Sequence, residues 1–575
     1  MLLAFLHQGF TLRPEVKQKN NSNNNNNKKD IQQTSIQNSS PPFPSFSLKD
    51  AGGNVRIWAT DNADKTLKLE LRALSGCVKD IAWSDDSKRL VVVGDGKDSF
   101  ANVFIWDSGS TIGTIGGHSK CINAVDWKQT RPYRIATASE DFLVNFYEGP
   151  PFKFTHSNRG HTRFANCVRF SPDGNRFVSV GSDIKCIVYD GKTGLPTGEL
   201  QDKDNGHKLA VYSVSWSPDS KQVITTAGDK TAKIWDVDTL ALKTTFAFAN
   251  EVDYMQVGSL WVPSQIITLS LNGDLNYLDP ATGKPSKIVY GHNKLVTSLA
   301  FDRSSNTLYS ASTDGVVIAW EAGVGSKAKL SGKGHTTAIP AMHVRDGKLI
   351  TCGKDDAIRI TETASSFAYA SDFASVEGTP QDLAVGKTDS TVFVAITTKS
   401  IAVIRDGKVA NLINVNYTPT TVDFSGDDSE VAIGATDMKI RFYAFSKEDN
   451  SLTEKATLGE HRGQVSRLRF SPCGTMFASG DSNRELIVWD ASSKTPKYTG
   501  LVFHNARILD IAWSPDSSRV ATGSVDTNVI VWNLAEKTRL MAKSAHPGGA
   551  NAVVFINENT VASAGGDCCI KTWKF

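Results

Sequence analysis

Short apolar strands that end in an aromatic residue recur along this chain: Val55-Arg56-Ile57-Trp58, Val103-Phe104-Ile105-Trp106, Ala232-Lys233-Ile234-Trp235, Ile487-Val488-Trp489 and Ile570-Lys571-Thr572-Trp573. Weaker copies on the same frame give strand ends at Trp58, Trp106, Tyr147, Tyr189, Trp235, Tyr277, Trp320, Thr361, Ile404, Tyr443, Trp489, Trp532 and Trp573. The spacing averages about 43 residues, the period of a four-stranded propeller blade. Polar punctuation repeats with it. In the fifth interval a Gly206-His207 turn precedes a strand closing on Trp216-Ser217-Pro218-Asp219, then come Thr225 in a small-residue strand, Asp229 in a turn and Trp235. The Ser-Pro-Asp copies, also beginning at Ser171 and Ser514, suit tight turns because Pro sets φ and Asp caps its own backbone. Thirteen strand ends exceed the four to eight blades that close one ring. The pattern therefore predicts an all-β protein of two rings in tandem, with no long helical periodicity.

Residues 1–48 break the pattern. Asn20, Asn21, Ser22 and Asn23 to Asn27 lead into Lys28-Lys29, a Gln/Ser-rich stretch and Pro41-Pro42-Phe43-Pro44. Such a composition buries too little apolar surface to offset the entropy of ordering, so a disordered low-complexity leader is expected over 1–48. The first propeller is expected over 49–287 and the second over 288–575. Gly52-Gly53-Asn54-Val55 enters a blade at its third strand, with no first or second strand before it. The first ring is thus expected to lack about one blade of sequence, and the Asn run reads either as a misplaced exon boundary, the favoured reading, or as part of a divergent form with weakened closure.

Charge narrows the function. The net charge is +3, and the leader supplies all of it through Arg13, Lys17, Lys19, Lys28 and Lys29 against Glu15 and Asp30. A balanced body without a basic stripe argues against nucleic acid held by counterion release. No run approaches the roughly 20 apolar residues of a membrane span, and the start lacks the basic segment of a secretory signal. Eight scattered cysteines without CxxC pairs read as buried thiols in a reducing, cytoplasmic compartment, with no metal site.

The candidate chemistry is His, Ser/Thr and Asp at fixed offsets, the residue types of a nucleophilic triad. Counting back from the aromatic, Asp stands at minus six and Ser/Thr at minus ten. The sets are His161, Ser179, Asp183, Tyr189; His207, Thr225, Asp229, Trp235; His292, Ser310, Asp314, Trp320; His504, Thr522, Asp526, Trp532; and His546, Ser563, Asp567, Trp573. A catalytic site is not repeated blade after blade. These sets are expected to be structural tetrads in which Asp orients His, His meets the hydroxyl, and the hydroxyl meets the indole or phenol. No catalytic residue and no cofactor is expected. A propeller enzyme would instead gather unrepeated polar groups at one channel mouth.

Two departures mark surfaces with a separate role. Residues 94–100 form an insertion before the strand ending at Trp106, and Glu148-Gly149-Pro150-Pro151-Phe152-Lys153-Phe154 replaces the usual Trp-Asp with a stiff turn between two aromatics. The second loop, with Ser75-Gly76 through Trp83, Asp85-Asp86-Ser87-Lys88-Arg89, Val93-Gly94-Asp95-Gly96, Tyr290-Gly291-His292-Asn293-Lys294 and the terminal Ile570-Lys571-Thr572-Trp573, resembles the actin-interacting protein 1 family of double seven-bladed WD-repeat propellers. The resemblance covers about residues 50–575. It implies a monomeric, cytoplasmic protein of the actin cytoskeleton that binds cofilin-decorated actin filaments, speeds their disassembly and helps block regrowth at barbed ends, with actin and cofilin/ADF as partners. The contact residues expected are Glu148, Phe152, Phe154, Arg163 and Phe164, aromatic anchors with charges that steer. The alternative is a generic WD-repeat scaffold or adaptor for another assembly, which shares the blade grammar without the Glu148–Phe154 loop.

Overall fold

The computed structural model describes residues 32–33, 45–49, 52–59 and 67–575 apart from 98, 322–324, 364–366 and 371–372, with side chains from 52 onward except 58 and 59. Among these residues thirteen antiparallel sheets follow one another, twelve of four strands and one of three. Every strand end named above lies in the third strand of a four-stranded sheet except Trp58, which lies in the middle strand of the three-stranded one, and Trp106, which follows Ala101–Ile105 directly. The one helical turn among the described residues is Val252–Tyr254.

A middle strand is covered on both faces by neighbouring sheets. Arg176–Gly181 and Cys186–Asp190 are accordingly buried along nearly their whole length, while the outermost strand Pro196–Glu199 is exposed or half-buried. That is why the middle strands read as continuous apolar runs. The third-strand aromatic faces an apolar partner across the sheet. Phe177 stands opposite Tyr189 with the rings stacked at 4.5 Å and 5°, and Phe477 stands opposite Trp489 at 5.6 Å and 4°. A β-bulge falls beside the aromatic where third and fourth strands pair, at Val188/Tyr189 and Ile234/Trp235 among others. Bulges of this kind bend and twist the outer strand.

The chain divides into two compact units between Val289 and Tyr290. The first holds six sheets and the second seven. The second ring closes: Val296, Leu299 and Leu308 of its first sheet pack with Ala552, Ala562 and Ala564 of its last, and the Asn551 side-chain amide donates to the Val296 carbonyl at 2.9 Å.

Two strands fall within or at the edge of the expected leader. Ser45–Lys49 pairs with Asn54–Ala59, so a strand does precede the one ending at Trp58, and the first sheet has three strands. The Phe46 and Leu48 alternation in Ser45-Phe46-Ser47-Leu48-Lys49 is a strand pattern. Gln32–Gln33 pairs with Trp573 and Lys574 and supplies the fourth strand of the last sheet. The expectation for the Asn run falls outside the described residues.

Candidate partner-binding surface and the buried tetrads

Each tetrad ties the loop before a first strand to the second and third strands of its own sheet. In the fifth interval His207 Nδ1 lies 3.1 Å from Asp229 and Nε2 lies 2.8 Å from Thr225 Oγ1, which accepts from Trp235 Nε1–H at 2.8 Å. The indole can only donate. The hydroxyl therefore gives its own proton to Nε2, and the imidazole carries its proton on Nδ1, facing the carboxylate. The same Asp229 oxygen holds the loop by also accepting the Lys208 N–H at 2.9 Å. The same contacts occur in His504, Thr522, Asp526 and Trp532 at 2.9, 2.8 and 3.0 Å, and in His546, Ser563, Asp567 and Trp573 at 2.7 Å each. In His161, Ser179, Asp183 and Tyr189 the distances are 2.9, 2.7 and 3.1 Å. A buried hydroxyl with both its proton and its lone pair committed is not a nucleophile.

Electrostatics follow from that geometry. Burial pushes the Asp229 and Asp526 carboxyls up, but the hydrogen bonds from His and backbone N–H outweigh it and hold both at about 2. Burial depresses His207 and His546 against the opposing pull of their carboxylates.

One predicted set forms only in part. His292 Nε2 meets Ser310 Oγ at 2.6 Å, and Trp320 Nε1–H donates to the same oxygen at 2.7 Å. Asp314 is captured by the Ser312 hydroxyl two residues before it, and His292 Nδ1 is buried without a partner among the described residues. Burial pushes this imidazole down to about 4. Three further sets escaped the sequence reading. His118, Thr137, Asp141 and Tyr147 carry the same offsets, and His118 lies 2.7 Å from Thr137 and 3.0 Å from Asp141. His335 meets Thr351 and Asp355 at 2.9 and 2.8 Å, with Tyr369 edge-on to its ring in place of a third-strand aromatic. His461 meets Ser479 at 2.6 Å and draws its carboxylate, at 3.3 Å, from Asp481, because Asn483 occupies the usual Asp position.

The five expected contact residues do not form one patch. Glu148 and Phe152 flank the hairpin between third strand Val144–Glu148 and fourth strand Lys153–Asn158, whereas Arg163 and Phe164 precede first strand Ala165–Phe170. In an antiparallel meander those two loops lie at opposite ends of strands about 20 Å long. Glu148 pairs with Arg134 at 3.0 Å, and Phe152 packs edge-on against buried Trp127 at 4.8 Å. Phe154 is exposed but leans on Tyr147, 6.0 Å between centroids. Insertion 94–100 folds back on itself, the Gly94 N–H donating to Phe100 O and the Lys97 N–H to Ser75 Oγ; its Asp98 is outside the described residues.

Phe164 belongs to a different surface. It lies three residues after tetrad His161, is 44 % exposed, and pairs with exposed Phe142 at 5.8 Å, over which Lys120 Nζ sits at 5.8 Å. The Phe164 carbonyl accepts the Ser182 N–H at 2.8 Å, which places exposed Ile184 in the neighbouring turn. One blade on, exposed Leu209 and Tyr212 flank Gly228. Phe142 and Ile184 each follow a tetrad Asp with positive φ, 72° and 74°, so the turn thrusts an apolar side chain outward. The tetrads thus act as pins for one face of the first unit, where exposed apolar groups stand beside Lys120 and Arg163.

Tandem propeller sheets, the tetrads and the Ser-Pro-Asp turns define a WD-repeat protein. The WD domain, G-beta repeat model matches residues 109–148, 152–190, 198–236, 283–321, 452–490 and 495–533. The chain is 46 % identical over 96 % of its length, and 92 % of the relative's, to the 66 kDa stress protein of Physarum polycephalum. It is 41 % identical to actin-interacting protein 1-2 of Arabidopsis thaliana, over 94 % and 90 %. With actin-interacting protein 1 of Drosophila melanogaster it shares 36 %, over 94 % and 88 %. The chain belongs to the actin-interacting protein 1 family.

Proposed function

We propose that this protein binds actin filaments decorated with cofilin, promotes their disassembly and helps keep barbed ends from regrowing, acting as a monomer in the cytoplasm. The observation that carries the reading is the exposed arc of Phe142, Phe164, Ile184, Leu209 and Tyr212 beside Lys120 and Arg163, on a chain whose relatives bear the name actin-interacting protein 1. Aromatic anchors next to cations suit an acidic protein surface. The reading needs no catalytic group. Binding that favours a cofilin-altered or severed filament over an intact one shifts the population toward disassembly by its differential affinity, and a tenfold preference corresponds to about 1.4 kcal/mol.

Co-sedimentation of the purified chain with actin filaments, with and without cofilin, tests this. Release of actin to the supernatant that requires both proteins is the expected result. A folded protein that neither pellets with filaments nor releases actin in the presence of cofilin overturns the reading in favour of a scaffold for another assembly.

A further inference from the structure

The central channel of the second unit contains a cavity of about 330 Å³, lined among others by Arg303, Arg345, Lys387, Arg467 and Arg469. That volume falls within the range of small-ligand sites, about 300–1,000 Å³. The acids facing these five cations are Asp382, Asp423 and Asp510, and all three are fully engaged. Asp382 accepts from Arg467 and Arg469 at 3.1 Å each and from the N–H groups of Leu383 and Val422. Asp423 accepts the Phe470 N–H at 2.7 Å and Lys387 Nζ at 3.2 Å. Asp510 accepts the Val553 N–H at 2.9 Å and Arg467 Nε at 3.0 Å.

Arg303 and Arg345 remain. Among the described residues the polar and ring partners of Arg303 are the Phe555 and Ile556 carbonyls, at 3.4 and 3.3 Å, and the Phe301 ring; Arg345 donates to the Lys387 carbonyl. Among the described residues neither meets a carboxylate. Each guanidinium has five N–H donors, so most of them are left uncommitted by the carbonyls named, on an exposed Arg303 and a half-buried Arg345 that both line the cavity. Arg169 of the first unit, which faces both Asp80 and Asp126, resembles the engaged Arg469 rather than this pair. Two uncompensated guanidinium groups on adjacent blades, backed by two more that are locked by a buried carboxylate, form a concave cationic cup.

We propose that this channel binds a small, multiply charged phosphate anion, held at the mouth by Arg303 and Arg345 beside Lys387. Arginine forks match phosphate oxygens two at a time. The ligand is either a phosphoanhydride or a cluster of phosphate monoesters, and the probes separate these sources: inorganic pyrophosphate for the first and inositol hexakisphosphate for the second.

The test is titration calorimetry of the full chain with each probe at about 0.1 M salt, where charges are screened beyond about 10 Å. Saturable one-to-one binding of either probe is expected, weakened tenfold or more in an Arg303→Gln/Arg345→Gln double variant, since each charge-assisted hydrogen bond is worth about a factor of ten. An exposed-charge control, Lys455→Gln, is expected to bind as the parent does. Absence of saturable binding by both probes, or equal affinity in a folded double variant, overturns the proposal. Should the double variant not fold, hydrogen exchange on the parent chain decides the matter. Protection by the probe of 341–345 and 465–470 supports the channel, and protection confined elsewhere overturns it.

Discussion

The tetrads yield a sharp comparison within the second unit, because two aspartates at the same sequence offset have different partners. Asp526 accepts from His504 Nδ1–H at 2.9 Å and from the N–H groups of Asn505 and Asn528 at 2.7 and 3.0 Å. Among the described residues Asp314 holds only Ser312 and, at 3.5 Å, the Val316 N–H. Replacing Asp526 by Ala removes three charge-assisted bonds and strands the buried His504 Nδ1–H. With about 1.5–3 kcal/mol for a bond to a charged group, and losses that share one carboxylate not adding fully, the expected cost is about 4 kcal/mol. Asp314→Ala leaves His292 as it already is and is expected to cost about 1 kcal/mol. The assay is urea unfolding followed by tryptophan fluorescence. For a unit of this size m is about 3 kcal/mol/M or more, so the Asp526 variant should lower the midpoint by about 1 M and the Asp314 variant by about 0.3 M. Equal shifts would refute the argument that the hydrogen-bond pattern, rather than the offset, sets the contribution.

Further outcomes follow from the same geometry. His292, held at about 4 by burial, titrates near 6.5 when unfolded. The unfolded chain takes up the proton first, so stability is full above about pH 6.5 and falls by about 2 kcal/mol at pH 5; His292→Gln should flatten that part of a midpoint-against-pH profile, and an unchanged slope would count against it. Phe164→Asp and Phe142→Asp should weaken co-sedimentation with cofilin-decorated filaments about tenfold or more while leaving the urea midpoint nearly unchanged. Phe152→Ala should do the opposite, costing about 2 kcal/mol through the lost contact with Trp127 and sparing filament binding. Cys473 is exposed, and although burial raises its thiol, hydrogen bonds from Ser471, Ser517 and Thr475 outweigh that and bring it to about 6; at pH 7 iodoacetamide should label it before Cys569, as read by mass spectrometry.

The blade framework was legible because it rests on local signals. Even Thr361 and Ile404, which are not aromatic, fall in third strands where the 43-residue frame places them. What escaped the sequence depends on contacts it does not display. Gln32–Gln33 becomes a strand only because Trp573 and Lys574, at the far end of the chain, offer an edge. Asp314 matches the tetrad offset, but a neighbouring serine captures it, a choice of rotamer that spacing cannot encode. The family loop at Glu148–Phe154 drew attention by its rarity, yet Phe152 is an anchor of the core. The exposed arc left a fainter trace: an apolar residue directly after the tetrad Asp, at Phe142 and Ile184, where a polar or small residue suits a turn with positive φ.

The most direct test of the central claim is hydrogen exchange of the intact protein, free and bound to cofilin-decorated filaments. Protection at 140–143, 162–165, 183–185 and 208–212, with the 148–153 hairpin unchanged, is the predicted result. Protection of that hairpin with no change in the four loops would place the filament at the opposite end of the first unit and contradict the account.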